Sequence, residues 1–160
     1  MMTRPTVRPA APPDQARLAA WFHAAFEHLK TSTADPWFEG AVKPPEASSA
    51  HVSQALADGS LLLVAELDGT PAGFLHGRLE RPYVAESPIP KIGQVSLVWV
   101  EPALRGRGVG RALIAAAEAW FRERGIDWVQ LSYQPANREA TATWPALGFE
   151  VFRVYARKRL

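Results

Sequence analysis

One stretch of the chain constrains the fold more than any other, because its backbone preference changes twice within a few residues. An apolar, β-branched run ends at Pro102, a basic glycine-rich turn follows, and an amphipathic pattern then continues to Gly125. This order predicts a strand, a turn and a helix. The turn, residues 105–111, reads R-G-R-G-V-G-R.

Glycines and arginines alternate in this turn. They are Gly106, Gly108 and Gly110, and Arg105, Arg107 and Arg111. Glycines let the backbone bend and let a ligand approach closely, and the first turn of the following helix offers unpaired N–H groups and the positive end of its dipole. The stretch therefore predicts a phosphate site. The alternative interpretation is a glycine-rich turn between a strand and a helix, with its arginines in solvent.

Two better-known phosphate loops do not fit. The Walker loop needs Gly-Lys-Ser/Thr, and the chain contains no Gly-Lys-Ser and no Gly-Lys-Thr; the dinucleotide fingerprint needs G-x-G-x-x-G, whereas Arg111 stands three residues after Gly108. The turn belongs to another class of phosphate loop.

Composition limits the class of protein. A chain of 160 residues suits one domain, expected here over residues 1–160, and 48% hydrophobic with 21% charged residues is typical of a globular protein. The net charge of +2 is too small to favour a nucleic-acid partner, and no apolar run reaches the length of a membrane span. With no cysteine and no signal-peptide core in residues 1–13, we expect a cytoplasmic enzyme or binding domain without a metal site.

Periodicity and turn signals predict the order βααβββαβαβ, a mixed α/β fold with helices on both faces of the sheet. The predicted strands are 6–8, 61–67, 72–79, 92–100, 126–133 and 150–160. The predicted helices are one that follows the N-cap candidate Asp14 and carries its apolar stripe over residues 18–29, one over 46–57, one that follows the glycine-rich turn and is capped at Gly125, and a short one after Asn137.

Two motifs resemble those of the GCN5-related N-acetyltransferases, the GNAT family. The first is V-x-P-x-x-R-G-x-G-V-G-R at residues 100–111, and the second is N-R-E-A-T-A-T-W-P-A-L-G-F at residues 137–149. The resemblance implies a GNAT-like fold in which two parallel central strands splay apart and acetyl-CoA lies between them.

The resemblance also implies roles for particular residues. The pantetheine arm would pair with the backbone of Val98 and Val100, and the pyrophosphate would sit on the N–H groups of residues 105–111, Val109 among them. Asn137 matches the family position that bonds the cofactor arm, and Trp144 would pack against that arm.

The sequence departs from the family pattern at two positions. Gln94 stands where many members carry a glutamate, and Trp144 where many carry a tyrosine, so neither side-chain role transfers. Substitute bases are Glu80, Glu86 or His76, and substitute acids are Tyr133 or Tyr155; each also fits a solvated or structural role.

The resulting hypothesis is an enzyme that moves the acetyl group of acetyl-CoA to a primary amine by direct attack on the thioester. The acceptor would be a small-molecule amine or a protein N-terminal amine. The alternative is a catalytically weak acetyl-CoA-binding sensor or interaction domain of the same fold. No nucleic-acid or membrane partner is expected, and the sequence is compatible with a homodimer without deciding it.

Overall fold

The computed structural model of the chain describes residues 4–160; residues 1–3, which the expected single domain includes, lie outside this range. Its strands are β1 (Thr6–Pro9), β2 (Leu61–Leu67), β3 (Thr70–Glu80), β4 (Ile92–Val100) and β5 (Val129–Gln130). Its helices are α1 (Gln15–Thr33), α2 (Pro45–Ala57), α3 (Val109–Arg122) and α4 (Arg138–Ala146). None of these helices of residues 4–160 is long and apolar enough to cross a bilayer.

The five strands form one mixed sheet in the order β1-β2-β3-β4-β5. Neighbours are antiparallel except β4 and β5, which are parallel as the strand–helix–strand order around α3 predicts. Alternate side chains of the strands point to opposite faces of the sheet and pack into two hydrophobic cores. Phe121 and Leu113 of α3 pack on one face, and Trp21 and Phe22 of α1 pack with α2 on the other. The predicted mixed α/β architecture is confirmed.

The parallel pair separates almost as soon as it forms. β4 and β5 are paired only at Gly93 with Val129 and at Gln94 with Gln130. Immediately afterwards the register of β4 on β3 shifts, so that Ser96 has no partner on β3. Such a bulge bends a strand and increases its twist. The predicted splay of the central parallel strands is therefore present, and it opens a gap beyond Gln94.

The prediction of a final strand over residues 150–160 is wrong for this structure. The whole segment lacks regular secondary structure and every residue in it is exposed. The strand predicted over 126–133 is likewise reduced to Val129–Gln130. The reason is that β-branched and aromatic residues favour a strand only where a neighbour offers a surface and a ladder of hydrogen bonds, and here the outer side of β5 has no partner among residues 4–160.

Candidate active site

A cleft of about 460 Å³ opens where the strands separate. It is walled by the second half of β4, the glycine-rich turn, α4 and one face of α1. The lining residues include Leu97, Val98, Trp99 and Val100 of β4, Asn137, Ala140, Thr143, Trp144 and Leu147 around α4, and Ala25, His28 and Leu29 of α1. The cleft thus lies at the carboxyl end of a central strand, a common place for ligand sites in α/β proteins.

The glycine-rich turn has the backbone that its sequence predicts. Gly106 and Gly108 have φ values of 74° and 81°, a region that residues with a Cβ rarely adopt, and no heavy atom outside the neighbouring residues lies within 4 Å of a Cβ built on either. The turn is therefore both dependent on glycine and open on the side where a side chain would stand.

The amino terminus of α3 is free to receive an anion. Gly108 is its N-cap and no side chain caps the helix, while the first intrahelical bond is donated by the Ala112 N–H to the Gly108 carbonyl at 3.0 Å. The N–H groups of Val109, Gly110 and Arg111 precede that bond and have no partner within the helix. Gly110 and Arg111 line the cleft, so these donors and the helix dipole are directed to one place.

Asn137 caps α4, as its sequence context predicts. Its side-chain oxygen accepts a hydrogen bond from the Ala140 N–H at 3.2 Å, and the residue also lines the cleft. The side-chain oxygen of Asn137 is thus bound to the helix, whereas the side-chain NH₂ group of Asn137 makes no hydrogen bond within residues 4–160. A single side chain can therefore both start the helix and donate to a ligand.

Trp144 lies in the cleft wall although a proline follows it. Pro145 is the last residue but one of α4, which ends at Ala146, so the N–H that proline lacks is missing only from the final turn. The indole packs edge-on against Phe149, with ring centroids 5.8 Å apart. Trp144 therefore keeps its place in α4 beside the cleft.

A polar cluster crosses the cleft from the turn to α4 and α1. The Arg105 Nε donates to the Val100 carbonyl at 3.0 Å, and its NH1 donates to the Glu139 carboxylate at 3.1 Å. The His28 Nε2 lies 3.5 Å from the same carboxylate oxygen, and the Arg105 guanidinium lies over the Trp99 ring at 4.9 Å. The Val100 carbonyl, which the pantetheine arm is expected to bond, therefore already accepts one hydrogen bond from Arg105.

The structure brings nearly all the predicted cofactor residues together. Ten of them line the cleft: Val98, Val100, Arg105, Gly106, Gly108, Val109, Gly110, Arg111, Asn137 and Trp144. Arg107 is exposed on the turn and is not among the lining residues.

The predicted catalytic residues are placed elsewhere. Glu80 ends β3 and binds the Arg78 guanidinium at 2.5 Å, Glu86 is exposed in the β3–β4 loop, and Tyr133 is half-buried after β5. None of the three lines the cleft. The other candidates are also outside it: His76 is 5% exposed beneath α1 and α2, and Tyr155 is 79% exposed in segment 150–160.

Two lining residues were missed by the sequence analysis, His28 and Glu139. The helical spacing of residues 18, 21, 25 and 28 could have indicated His28. These four residues share one face of α1, and the first three of them are buried. Glu139 lies in the first turn of α4. A carboxylate is common at this position because it interacts favourably with the helix dipole, so the sequence gives no reason to assign it to a site. Its contact with Arg105 depends on the approach of two distant segments.

Comparisons with known proteins agree with this geometry. The model of the acetyltransferase (GNAT) family matches residues 19–149. The aminoglycoside N(6')-acetyltransferase type 1 of Stenotrophomonas maltophilia is 32% identical over 153 residues, which are 91% of this chain and 86% of that protein. The mycothiol acetyltransferase of Rhodococcus erythropolis is 32% identical over 117 residues, which are 69% of this chain but only 39% of that protein.

Solved structures share the fold over the whole chain. The aminoglycoside N-acetyltransferase AAC(6')-Iy in complex with CoA superimposes with a TM-score of 0.72 at 23% identity, covering 99% of this chain and 97% of that one. A GCN5-related N-acetyltransferase from Ralstonia eutropha gives a TM-score of 0.75 at 24% identity over 98% and 99% of the two chains. The chain belongs to the acetyltransferase (GNAT) family and is an acetyl-CoA-dependent N-acetyltransferase.

Proposed function

We propose that the acceptor is the primary amine of a small polyamine of the aminoglycoside class, acetylated at an aminomethyl position such as the 6'-amine. The observation that carries this proposal is the relation to the aminoglycoside N(6')-acetyltransferase of Stenotrophomonas maltophilia, which extends over 91% of this chain and 86% of that protein. The similarity to the mycothiol acetyltransferase of Rhodococcus erythropolis covers only about two fifths of that protein. It therefore gives weaker support for an acceptor like that of the Rhodococcus enzyme. A protein N-terminal amine is the remaining class of acceptor.

In the proposed complex, acetyl-CoA lies along the splayed edge of β4. The pyrophosphate rests on the N–H groups at the start of α3, with Arg105 and Arg111 beside it, and the pantetheine arm pairs with the backbone of Val98 and Val100. Support comes from the open space at Gly106 and Gly108 and from the absence of a β5 partner for β4 beyond Gln94.

We further propose that His28 takes the proton of the attacking amine. Among the described residues that line the cleft, His28 and Glu139 are the two whose side chains belong to the types that serve as general bases. The Glu139 carboxylate, 3.5 Å from the His28 Nε2, stabilises the imidazolium that forms. Glu80, Glu86 and Tyr133 do not line the cleft.

The transfer is then a direct attack. The acceptor nitrogen bonds to the thioester carbonyl carbon, the C–S bond breaks, and CoA leaves as a thiolate that takes a proton from solvent. A backbone N–H of β4 near Val98 stabilises the oxyanion. The nitrogen gives its proton to His28, and the products are the amide and CoA.

The acceptor is tested by thiol release from acetyl-CoA, and the absence of cysteine from the enzyme removes any background from its own thiols. We expect release with aminoglycosides that carry a 6'-amine and none with matched compounds that carry a 6'-hydroxyl. Release with a peptide N-terminal amine, and none with any aminoglycoside, would contradict the proposed acceptor while leaving the acetyl transfer intact.

The base is tested with His28→Gln, and His23→Gln is the matched control. His23 lies on the same helix outside the cleft, with its Nδ1 2.7 Å from the Lys43 carbonyl. We expect kcat to fall roughly 100-fold in His28→Gln, with little change in the KM for acetyl-CoA. Unchanged kcat, or an equal loss in His23→Gln, would exclude His28 as the base.

A further inference from the structure

A carboxylate just outside the cleft is held in a fixed position. Asp35 follows the end of α1, and its side chain is only 6% exposed. One oxygen of this carboxylate accepts a hydrogen bond from the Trp37 N–H at 2.9 Å, and the other accepts from the Gln134 side chain at 2.6 Å. The Trp37 N–H, more than any other group, lowers the pKa of the Asp35 carboxyl, so Asp35 is negatively charged at neutral pH.

A cation from the chain itself occupies this position. The Arg157 guanidinium lies 2.9 Å from the Asp35 carboxylate and 4.4 Å from the centre of the Trp37 ring. A carboxylate beside an aromatic face attracts organic cations, through its charge and through the quadrupole of the ring. Asp35 and Trp37 therefore form a cation site, and Arg157 shows the kind of group that this site holds.

The contact with Arg157 is open to exchange. Arg157 belongs to segment 150–160, in which every residue is exposed and no backbone group is hydrogen-bonded within residues 4–160. The Arg157 side chain itself is 46% exposed, and an ion pair open to solvent contributes little to stability. A ligand cation can thus replace the guanidinium without breaking any strand or helix.

The cation site adjoins the cleft through both walls beside it. α1 ends at Thr33, about 7.5 Å beyond His28 along the helix axis, and the Asp35 N–H donates to the Thr33 hydroxyl at 3.4 Å. On the other side, the Gln134 carbonyl accepts from the N–H of Asn137 at 2.9 Å, and Asn137 lines the cleft. The site is therefore within reach of a molecule of linked sugar rings whose reacting amine lies at His28.

The cleft itself offers no free carboxylate to a polycation. Among the described residues that line it, Glu139 is the sole acid, and its carboxylate already contacts Arg105 and His28. A polyamine acceptor loses a proton only from the amine that reacts, so its other ammonium groups need an anionic partner when they leave water. Asp35 provides such a partner beside the cleft.

We infer that Asp35 and Trp37 bind a second ammonium group of the acceptor, and that Arg157 competes with this group as an internal occupant of the same site. The inference rests on the proposed small polyamine acceptor. Binding exchanges one cation for another at Asp35, so the charge of the carboxylate stays balanced while segment 150–160 is released. The site therefore selects acceptors that carry a second cation, and a monoamine gains nothing from it.

Two substitutions distinguish a cation site from a contact that merely holds segment 150–160. Asp35→Asn keeps an acceptor for the Trp37 N–H but removes the charge, so the KM for a 6'-amine aminoglycoside should rise roughly tenfold. Arg157→Gln removes the internal competitor, so the same KM should fall about two- to fivefold. A purely structural contact loses its ion pair in both variants, and the KM would then change in the same direction in both.

Asp58→Asn and Arg153→Gln are the matched controls. Asp58 also accepts a hydrogen bond from the N–H two residues later, that of Ser60, and Arg153 is also an arginine of segment 150–160 that lies over an aromatic ring. Neither residue is among the described residues that line the cleft. Both controls should match the wild type, and the KM for acetyl-CoA should stay unchanged in all four variants.

Inhibition by the matched 6'-hydroxyl aminoglycoside measures the site without acetyl transfer. Its Ki should rise in Asp35→Asn and fall in Arg157→Gln, as the KM does. Acetylation of the 6'-amine compound with a KM that neither variant alters, or that both alter in the same direction, would overturn the cation site and leave the proposed acceptor intact. No transfer to any aminoglycoside by the wild type would overturn the proposed acceptor, and this inference with it.

Discussion

The indole of Trp144 limits what this residue can do in the reaction. Trp144 lines the cleft, where its N–H is a hydrogen-bond donor that does not titrate in the useful pH range. It can bond the sulfur of the cofactor but cannot protonate it as a general acid. Because a thiolate is a tolerable leaving group in water, the site can operate without an acid at this position.

Trp144→Phe should therefore keep kcat within about tenfold, or 1.4 kcal/mol of barrier, with most of the loss in acetyl-CoA affinity. Trp128→Phe, an exposed tryptophan outside the cleft, is the control and should match the wild type in steady-state kinetics. A thousandfold fall in kcat with acetyl-CoA binding intact would mean that the indole N–H takes part in the chemical step.

His76 makes the folded state sensitive to acid. Its side chain is buried, its Nε2 has no hydrogen-bond partner within residues 4–160, and burial together with His51 and Arg78 lowers its pKa from 6.5 to about 4. Between these two values the unfolded chain binds a proton that the folded chain does not. Stability should fall as the pH drops from 6.5 to 4, by about 3 kcal/mol for this group, and change no further below that.

His76→Leu should remove this part of the pH dependence, because leucine places no titratable group in the apolar site. Urea denaturation at several pH values between 4 and 7 measures the effect, and His23→Gln serves as the surface control. An unaltered slope of stability against pH in His76→Leu would contradict the assignment.

Local chemistry explains which site residues could be predicted. The turn and Asn137 could be predicted because their residue types imply their local geometry. Gly106 and Gly108 adopt positive φ, and Asn137 caps a helix. His28 and Glu139 could not be predicted in this way, since their meeting depends on how α1 and α4 approach across the sheet. The substitute bases Glu80 and Glu86 are near β4 in sequence but lie away from the cleft.

At the scale of the element, the proposed site makes the start of α3 the part on which acetyl-CoA binding should depend most. Gly108→Val should abolish acetyl-CoA binding in isothermal titration, because a branched side chain strains the turn and fills the space that the pyrophosphate needs. Gly125→Val is the matched control: it follows the same helix, has a similar φ of 71° and equally open surroundings, and lies outside the cleft. Equal affinity in the two variants would place the phosphates elsewhere.

The strands show where sequence patterns stop being sufficient. The β2–β3 hairpin carries its own turn at Asp68 and Gly69, with φ values of 54° and 75°, and its strands were predicted to within a few residues. β5 and segment 150–160 have suitable residue types, but a strand needs a neighbour, and the separation of β5 from β4 after Gln94 removes it. Propensity predicts that these residues can pair, and the topology decides whether they do.

At the scale of the whole molecule, the fold supports the cleft from both faces of the sheet. α3 is fixed by its core contacts with β2, β3 and β4, so the turn before it is held rigidly, while α1 and Trp99 form the opposite wall. Acetyl-CoA bound between these layers contacts the folded chain only, and a ligand that binds only the folded state raises its stability.

The direct test is therefore a thermal melt with and without acetyl-CoA. At a hundredfold excess over Kd the folded state gains about 2.7 kcal/mol, which should raise the Tm of a chain of this size by roughly 5 to 10 °C. Gly125→Val should show the same rise and Gly108→Val none. A wild-type chain that melts at the same temperature with millimolar acetyl-CoA as without it would contradict the claim that this cleft binds the cofactor.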